Sequence, residues 1–208
     1  MSDVPPSLRG MGLALSVGEN DHYSEDLAAL SGVLAAVGVG WREPEGVAAE
    51  GASVGFPYSY LHQVRRAYAL HVNGEPVSPA GSTAPERLAR DAELVEDETM
   101  MMSSHLLCHS DCAGFYVPVE FDDPLFLDEE AVAGGGMVGS TQRLLAELVR
   151  CAPAIGIAVE AGALAPGQEA LLADVPAGDP YEAEKFTWYG LYRACQASIA
   201  TGHALVFC

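Results

Sequence analysis

The sequence predicts an α+β or α/β fold, formed by a single domain over residues 1–208, in which roughly five helices pack on a mixed β-sheet. Half of the 208 residues are hydrophobic, which is enough for a sizeable core. Helical and extended patterns follow one another without strict alternation. The stretch 104–121 has the pattern of an antiparallel hairpin, and such a pair indicates a mixed sheet.

The elements of the N-terminal half follow from short periodic patterns. Residues 13–17 form an apolar run that predicts the first strand. Apolar residues at helical spacing predict one helix over 24–37, with an acidic first turn that suits the helix dipole, and a second over 59–71. The composition of 43–55 is typical of a loop. A short polar helix is predicted over 85–95 because a proline stands at its first position.

The centre of the chain contains the predicted hairpin. Residues 104–108 and 115–121 are short, largely apolar segments joined by a turn that ends at Gly114, so both are predicted to be strands. Pro118 cannot donate a ladder hydrogen bond, so the second strand is expected at a sheet edge or a bulge. The glycine-rich residues 134–139 are expected to form a flexible entry to the next helix.

The C-terminal half contains the clearest helix signals. Residues 140–152 and 166–173 are predicted to be helical, and 155–159 is predicted to be a strand. A long helix is expected over 179–202, because an Asp-Pro-Tyr-Glu sequence at its start has the form of a capping box. The last residues, 203–208, predict a terminal strand that pairs within the sheet.

The charge of the chain is high and unevenly distributed. There are 29 acidic and 10 basic side chains, for a net charge of −19, and the stretch from Asp91 to Gln142 contains twelve acids and no lysine or arginine. Such a chain repels a phosphate backbone and attracts cationic ligands. General solubility is the alternative explanation. The acids after the predicted hairpin are the candidate binding residues: Glu120, Asp122, Asp123, Asp128, Glu129 and Glu130.

Side chains capable of catalysis or metal binding cluster before and within the predicted turn. His109, Asp111 and Cys112 are the candidates for a nucleophilic hydrolase, and His105, His109 and Asp111 are the candidates for a metal site. On a strand, His105 and His109 would lie about 13 Å apart at 3.3 Å per residue, too far for one ion, whereas on a helix His105 with His109 and Cys108 with Cys112 would be i, i+4 neighbours. The alternating pattern and the nearby glycine favour the strand. A polar turn is therefore preferred, and the sequence predicts no bound metal and no cofactor.

The expected location is the cytoplasm. Residues 1–10 lack the basic start and apolar core of a signal peptide, and no apolar run reaches the roughly 18 residues that a membrane-spanning helix needs. The chain contains five cysteines, an odd number, so reduced thiols are expected rather than a disulfide framework.

Three segments carry a resemblance to a known type of protein: SHLLCHSDCAGFYVPVEF, GSTQRLLAELV and PYEAEKFTWYGLYRACQASI. Together they resemble a family of uncharacterised bacterial proteins that is similar in character to the small acidic immunity proteins of polymorphic toxin systems. This resemblance implies a binding role and no particular catalytic residue.

The leading hypothesis is a non-enzymatic immunity protein or antitoxin whose acidic surface occludes a basic protein, with a toxin as one candidate partner. Nucleic acid and membranes are excluded as partners. Two alternatives stay open. One is a hydrolase that uses His109, Asp111 and Cys112 with or without a metal, and the other is a homodimeric domain that associates through a sheet edge.

Overall fold

A six-stranded mixed sheet forms the centre of the computed structural model, which describes residues 12–18, 21–48 and 51–208. The fold is α+β, as predicted. In chain order the strands are β1 (Gly12–Val17), β2 (Ala52–Pro57), β3 (Gly114–Val117), β4 (Leu125–Phe126), β5 (Met137–Ser140), β6 (Val159–Glu160), β7 (Ala163–Leu164) and β8 (Leu205–Phe207). The helices are α1 (Ser24–Ala36), α2 (Tyr58–Val72), α3 (Pro85–Met100), α4 (His105–Cys108), α5 (Thr141–Cys151), α6 (Gln168–Ala173) and α7 (Glu182–Thr201).

The strand order in the sheet is β2-β1-β8-β3-β5-β4, and β6 with β7 forms a separate two-stranded hairpin. Within the large sheet, β3 and β5 are parallel and all other neighbouring pairs are antiparallel. The last strand, β8, lies between β1 and β3 and aligns Phe207 with Leu15 and Val206 with Phe115. The predicted terminal strand is therefore confirmed, and it occupies the interior of the sheet.

Helices cover both faces of this sheet. Helices α2, α5 and α7 pack on one face, where Trp188 is fully buried and its indole N–H donates to the Leu148 carbonyl at 2.7 Å. Helix α1 packs on the other face through Leu27, Leu30 and Leu34. Alternation within β3 divides its side chains between the two cores: Tyr116 faces the first, and Phe115 and Val117 face the second.

The predicted hairpin over 104–121 was wrong. Residues 105–108 form α4, and Ser104 caps this helix through a side-chain oxygen that accepts from the Leu107 N–H at 3.1 Å. A short apolar segment fits a buried helical turn as well as a strand, so periodicity could not separate the two. The edge position was also wrong. Strand β3 pairs on both sides, and its pairing ends at Val117, before Pro118.

Two strands lie where loops were predicted, and one predicted strand is largely absent. Strand β2 lies partly inside the predicted loop 43–55, and β5 (Met-Val-Gly-Ser) lies in the glycine-rich region. Residues 152–155 form a 3-10 turn, so only Val159 of the strand predicted over 155–159 is extended, within β6. Small residues reduce the strand signal of β5, although its four residues are buried.

The structure bears on whether a helix could span a membrane, but not on the predicted cytoplasmic location. Among the described residues, no helix is both long enough and apolar enough to cross a bilayer. The cytoplasmic prediction rests on residues 1–10, which lie outside the described residues. That location stays a prediction.

Replacing Gly139 by alanine should reduce the free energy of unfolding by about 1–3 kcal/mol, the usual effect of overpacking a core. A Cβ atom at this position would lie 2.2 Å from Cδ1 of the buried Tyr116. That ring cannot swing away easily, because its hydroxyl donates to the His105 carbonyl at 2.7 Å.

Denaturant unfolding would measure this difference. The control is Gly32→Ala in α1, where a Cβ atom meets nothing within 4 Å. The control should be neutral or stabilising by about 0.5–1 kcal/mol, since alanine favours helix over glycine. Equal midpoints for Gly139→Ala and the parent would contradict the expected clash.

Candidate functional site

The site is organised around the N-terminus of α4, where a half-buried carboxylate binds the free backbone N–H groups. The two Glu147 side-chain oxygens, from α5, accept from the His105 and Leu106 N–H groups at 2.9 and 2.7 Å and from the Ser104 hydroxyl at 3.0 Å. A negative group is favourable at a helix N-terminus. Burial nevertheless raises the pKa of Glu147 to about 7, against the lowering effect of these three donors.

A buried guanidinium group binds the opposite end of α4. The Arg65 side chain, from α2, is only 9% exposed. Its Nε donates to the Leu106 carbonyl at 2.9 Å, Nη2 donates to the His109 carbonyl at 2.6 Å, and Nη1 pairs with Asp111. A four-residue helix is thus held by a carboxyl group at one end and a guanidinium group at the other.

His105 connects α4 to the acidic segment that follows β3. Its Nδ1 accepts from the Ser140 N–H at 2.9 Å, so the neutral ring carries its proton on Nε2, which donates to the Asp122 carbonyl at 3.2 Å. Burial lowers the pKa of His105, in agreement with a neutral ring. Residues 120–130, here called the acidic loop, are therefore attached to the core at their start.

The predicted binding residues are all exposed in the acidic loop. Glu120 and Asp122 pair with Arg143 of α5, at 3.7 Å for the Arg143 Nε to Glu120 Oε1 distance. The other four predicted residues form no ion pair with any residue that the structure describes: Asp123, Asp128, Glu129 and Glu130. The structure brings together six acids on one loop, of which four are uncompensated.

A second acidic element, α3, was not among the predicted binding residues. Asp91 is the exception among its acids: it is 2% exposed and accepts from Arg66 Nε and from Arg87 Nε, both at 2.7 Å. This ion pair fixes α3 against α2 through its inner face. Within the twelve-acid stretch, three exposed acids then remain on α3 without an ion pair to a described residue: Glu93, Glu96 and Asp97. The twelve-acid stretch contained them, but the helix was predicted only to residue 95.

The C-terminal turn of α3 is electrostatically unfavourable. Glu96, Asp97 and Glu98 lie where the helix dipole is negative, and this turn contains no basic residue. Each such charge costs about 0.3–1 kcal/mol at an exposed site. Charges that destabilise a helix end in this way are typical of functional sites.

The hydrolase candidates are not assembled for catalysis. The buried ring of His109 stacks on Tyr116 with centroids 4.2 Å apart, and burial lowers its pKa to about 4. Asp111 pairs with Arg65 and lies 2.6 Å from His62 Nε2. Cys112 is exposed, and its Sγ contacts the Ser110 hydroxyl at 3.6 Å. No hydrogen bond joins these three candidates to one another in the described structure.

The metal candidates do not converge on one centre among the described residues. Both ring nitrogens of His105 have hydrogen-bond partners, and His109 Nδ1 lies 3.0 Å from the Ser110 carbonyl. The described residues contain no group of three or more His, Cys, Asp and Glu side chains that could hold a metal ion. Among the described residues, the acids of the loop face solvent and do not form a set of metal ligands.

The fold and the site define the class: an acidic α+β protein whose exposed carboxylates are suited to binding another protein. The chain belongs to the family described as "Putative DNA-mimic protein", whose model matches residues 11–207. No curated protein and no solved structure matches the chain. The family supports the predicted acidic binding class, and it does not support immunity proteins in particular.

The partner prediction was wrong because it excluded nucleic acid from the function. Membership of a DNA-mimic family implies a partner that itself binds DNA. A net charge of −19 argues against direct contact between this chain and phosphates. The same charge suits a chain that takes the place of DNA on a protein. The expectation of a basic partner surface is compatible with the family.

The stability of the protein should fall as the pH rises through the titration of Glu147. Its folded-state pKa of about 7 lies above the ordinary value of 4.5, so the folded state binds more protons in this range. At 1.36 kcal/mol per pKa unit, the loss approaches about 3 kcal/mol by pH 8. Glu147→Gln cannot ionise and should lack this component.

Urea unfolding of the parent and Glu147→Gln at several pH values from 4.5 to 8 would test the expectation. The difference between their free energies of unfolding at each pH removes the contribution of the other titrating groups. The free energy of unfolding of the parent should decline relative to that of the variant as the pH rises. Parallel curves, or a parent that gains on the variant, would show that folding does not raise the pKa of Glu147.

Proposed function

We propose that this protein is a DNA mimic that occupies the DNA-binding surface of a DNA-binding protein. The observation that carries the proposal is the set of unpaired carboxylates on two exposed elements, α3 and the acidic loop, in a chain that matches a DNA-mimic family over residues 11–207. Proteins hold DNA mainly through lysine and arginine contacts to phosphates. A cation-poor carboxylate surface offers those side chains an alternative partner.

The distribution of positive charge supports the proposal. The two arginines of α3 itself, Arg87 and Arg90, precede its unpaired acids Glu93, Glu96 and Asp97. Arg66 contacts the inner face of α3 and Arg65 contacts the turn after α4, and both side chains are less than 10% exposed. Each is neutralised by an aspartate, Asp111 or Asp91. These arginines therefore hold the acidic elements in place and contribute little positive potential to the surface.

The rigidity of the acidic elements also supports it. A mimic binds better when its charges are positioned before binding, since less conformational entropy is then lost. On α3, neighbouring acids three or four residues apart have Cβ atoms about 5–6 Å apart. Phosphates along one DNA strand have a spacing of the same order, at 3.4 Å of helix rise each. The Asp91–Arg66 ion pair and the hydrogen bond from His105 to the acidic loop anchor the two elements.

An immunity role is retained only as a special case of this function. It would apply if the occluded DNA-binding protein were itself harmful to the cell that makes it. The charge complementarity between partners would be the same in both cases.

A competition experiment tests the proposed function. The immobilised protein is exposed to proteins eluted by salt from a DNA-cellulose column, and retained proteins are challenged with duplex DNA. A retained protein that is released by the duplex, and that loses DNA binding when this chain is added, would support mimicry. Retention that excess duplex does not alter, or no retention of any DNA-binding protein, would overturn it.

Neutralising the acidic surface should slow association with the retained protein by about tenfold at low salt, because exposed charges steer encounter. Two variants test the two elements separately. One is Glu93→Gln with Glu96→Gln and Asp97→Asn on α3. The other is Asp123→Asn with Glu129→Gln and Glu130→Gln in the acidic loop.

The matched control changes net charge equally at exposed acids elsewhere: Glu45→Gln, Glu160→Gln and Asp174→Asn. Association rates measured at two salt concentrations should fall for the surface variants and not for the control. Their difference should shrink at high salt. A control that slows association as much as the surface variants would assign the effect to net charge rather than to a DNA-like surface.

A further inference from the structure

Three consecutive methionines at the end of α3 are exposed to an unusual degree. The relative exposures of Met100, Met101 and Met102 are 79%, 71% and 51%. Single exposed apolar side chains are common on proteins, whereas a run of three costs solubility unless it has a use. These three residues are called the methionine tip below.

The backbone holds the methionine tip in one orientation. The Met101 N–H donates to the Glu98 carbonyl at 3.2 Å, and the Met102 N–H donates to the Thr99 carbonyl at 3.0 Å. Met102 has a φ of 54°, in the left-handed region that residues other than glycine rarely adopt. The Thr99 carbonyl also contacts Cys108 Sγ at 3.7 Å, which joins the end of α3 to α4.

Carboxylates lie directly beside the methionine tip. Met100 follows Glu96 by four residues and Asp97 by three, so these side chains share a face of α3. A partner that approaches this end of the helix therefore meets apolar and negative groups together. The complementary surface combines apolar side chains with lysine or arginine.

We infer that the methionine tip is an apolar docking element that packs against apolar side chains within the basic surface of the partner, an inference that rests on the proposed function. DNA-reading surfaces have this composition, because lysine and arginine bind phosphates and guanine while small apolar side chains contact the methyl group of thymine. The flexible thioether side chain of methionine adapts to irregular apolar surfaces.

The two kinds of contact should affect different rate constants. Exposed carboxylates accelerate encounter, and this effect weakens with salt. Methionine side chains that leave water in the complex slow dissociation, because burial of apolar area is not screened by ions. Loss of the methionine tip should therefore increase the dissociation rate with little change in the salt dependence of association.

Two synthetic helical peptides of equal length and equal lysine content are the probes. One carries leucine beside the lysines on the same helical face, and the other carries alanine at those positions. The parent should bind the leucine peptide at least tenfold more tightly than the alanine peptide. The variant Met100→Gln, Met101→Gln, Met102→Gln should lose this preference and bind the alanine peptide as the parent does.

The control is Leu171→Gln in α6, which removes an apolar side chain of similar exposure, 62%, outside the acidic stretch. It should retain the preference for the leucine peptide, and thermal midpoints should confirm that both variants are folded. A triple variant that keeps the preference would overturn the inference.

This outcome is separate from that of the proposed function. Displacement of a captured protein by duplex DNA tests mimicry whatever the methionines do. A preference that depends on the methionine tip would stand even if no DNA-binding protein were captured, and mimicry would then be the part that fails.

Discussion

The ionic contacts at the two ends of α4 are the interaction on which the site depends. Glu147 from α5 and Arg65 from α2 bind opposite ends of a helix that is only four residues long. A helix of this length is not stable alone, since nucleation costs more than its few hydrogen bonds return. Loss of the Glu147 carboxylate would leave the His105 and Leu106 N–H groups without a partner, at a cost of about 1–3 kcal/mol for each group that stays buried. Through His105, this helix also sets the position of the acidic loop.

The arrangement of charge reflects a compromise between folding and binding. Self-repulsion at a net charge of −19 opposes a compact state, and the acids in the last turn of α3 add to that cost. Arginine side chains offset part of it from inside, where Arg66 and Arg65 neutralise Asp91 and Asp111. Positive charge stabilises the fold where it is buried, and the proposed binding surface stays negative.

The sequence predicts the elements whose signals are local and misses those that depend on distant residues. Helices α1, α5 and α7 have periodic apolar faces, and β8 is an apolar terminal segment. Helix α4 is different, because Glu147 and Arg65 lie about forty residues away in either direction. Strand β5 was missed for a related reason: its Gly139, read as flexible, makes room for the ring of Tyr116 on the neighbouring strand.

Only those parts of the candidate site that have a local sequence signal could be predicted. A run of twelve acids without a cation is visible in the chain, so the exposed acids of the loop were identified. Burial is not visible, so Asp91 could not be distinguished from its exposed neighbours, and His109 could not be excluded from a catalytic role.

A DNA mimic need not reproduce only the charge of DNA. A surface made of carboxylates alone would attract any basic protein and would lose most of its affinity as salt rises. Apolar contact adds a component that ions do not screen and that depends on the shape of the partner. The end of α3 places both kinds of group within one helical turn, with Glu96 and Asp97 beside Met100. Discrimination among DNA-binding proteins would then come from the apolar side chains, while the carboxylates set the rate of encounter.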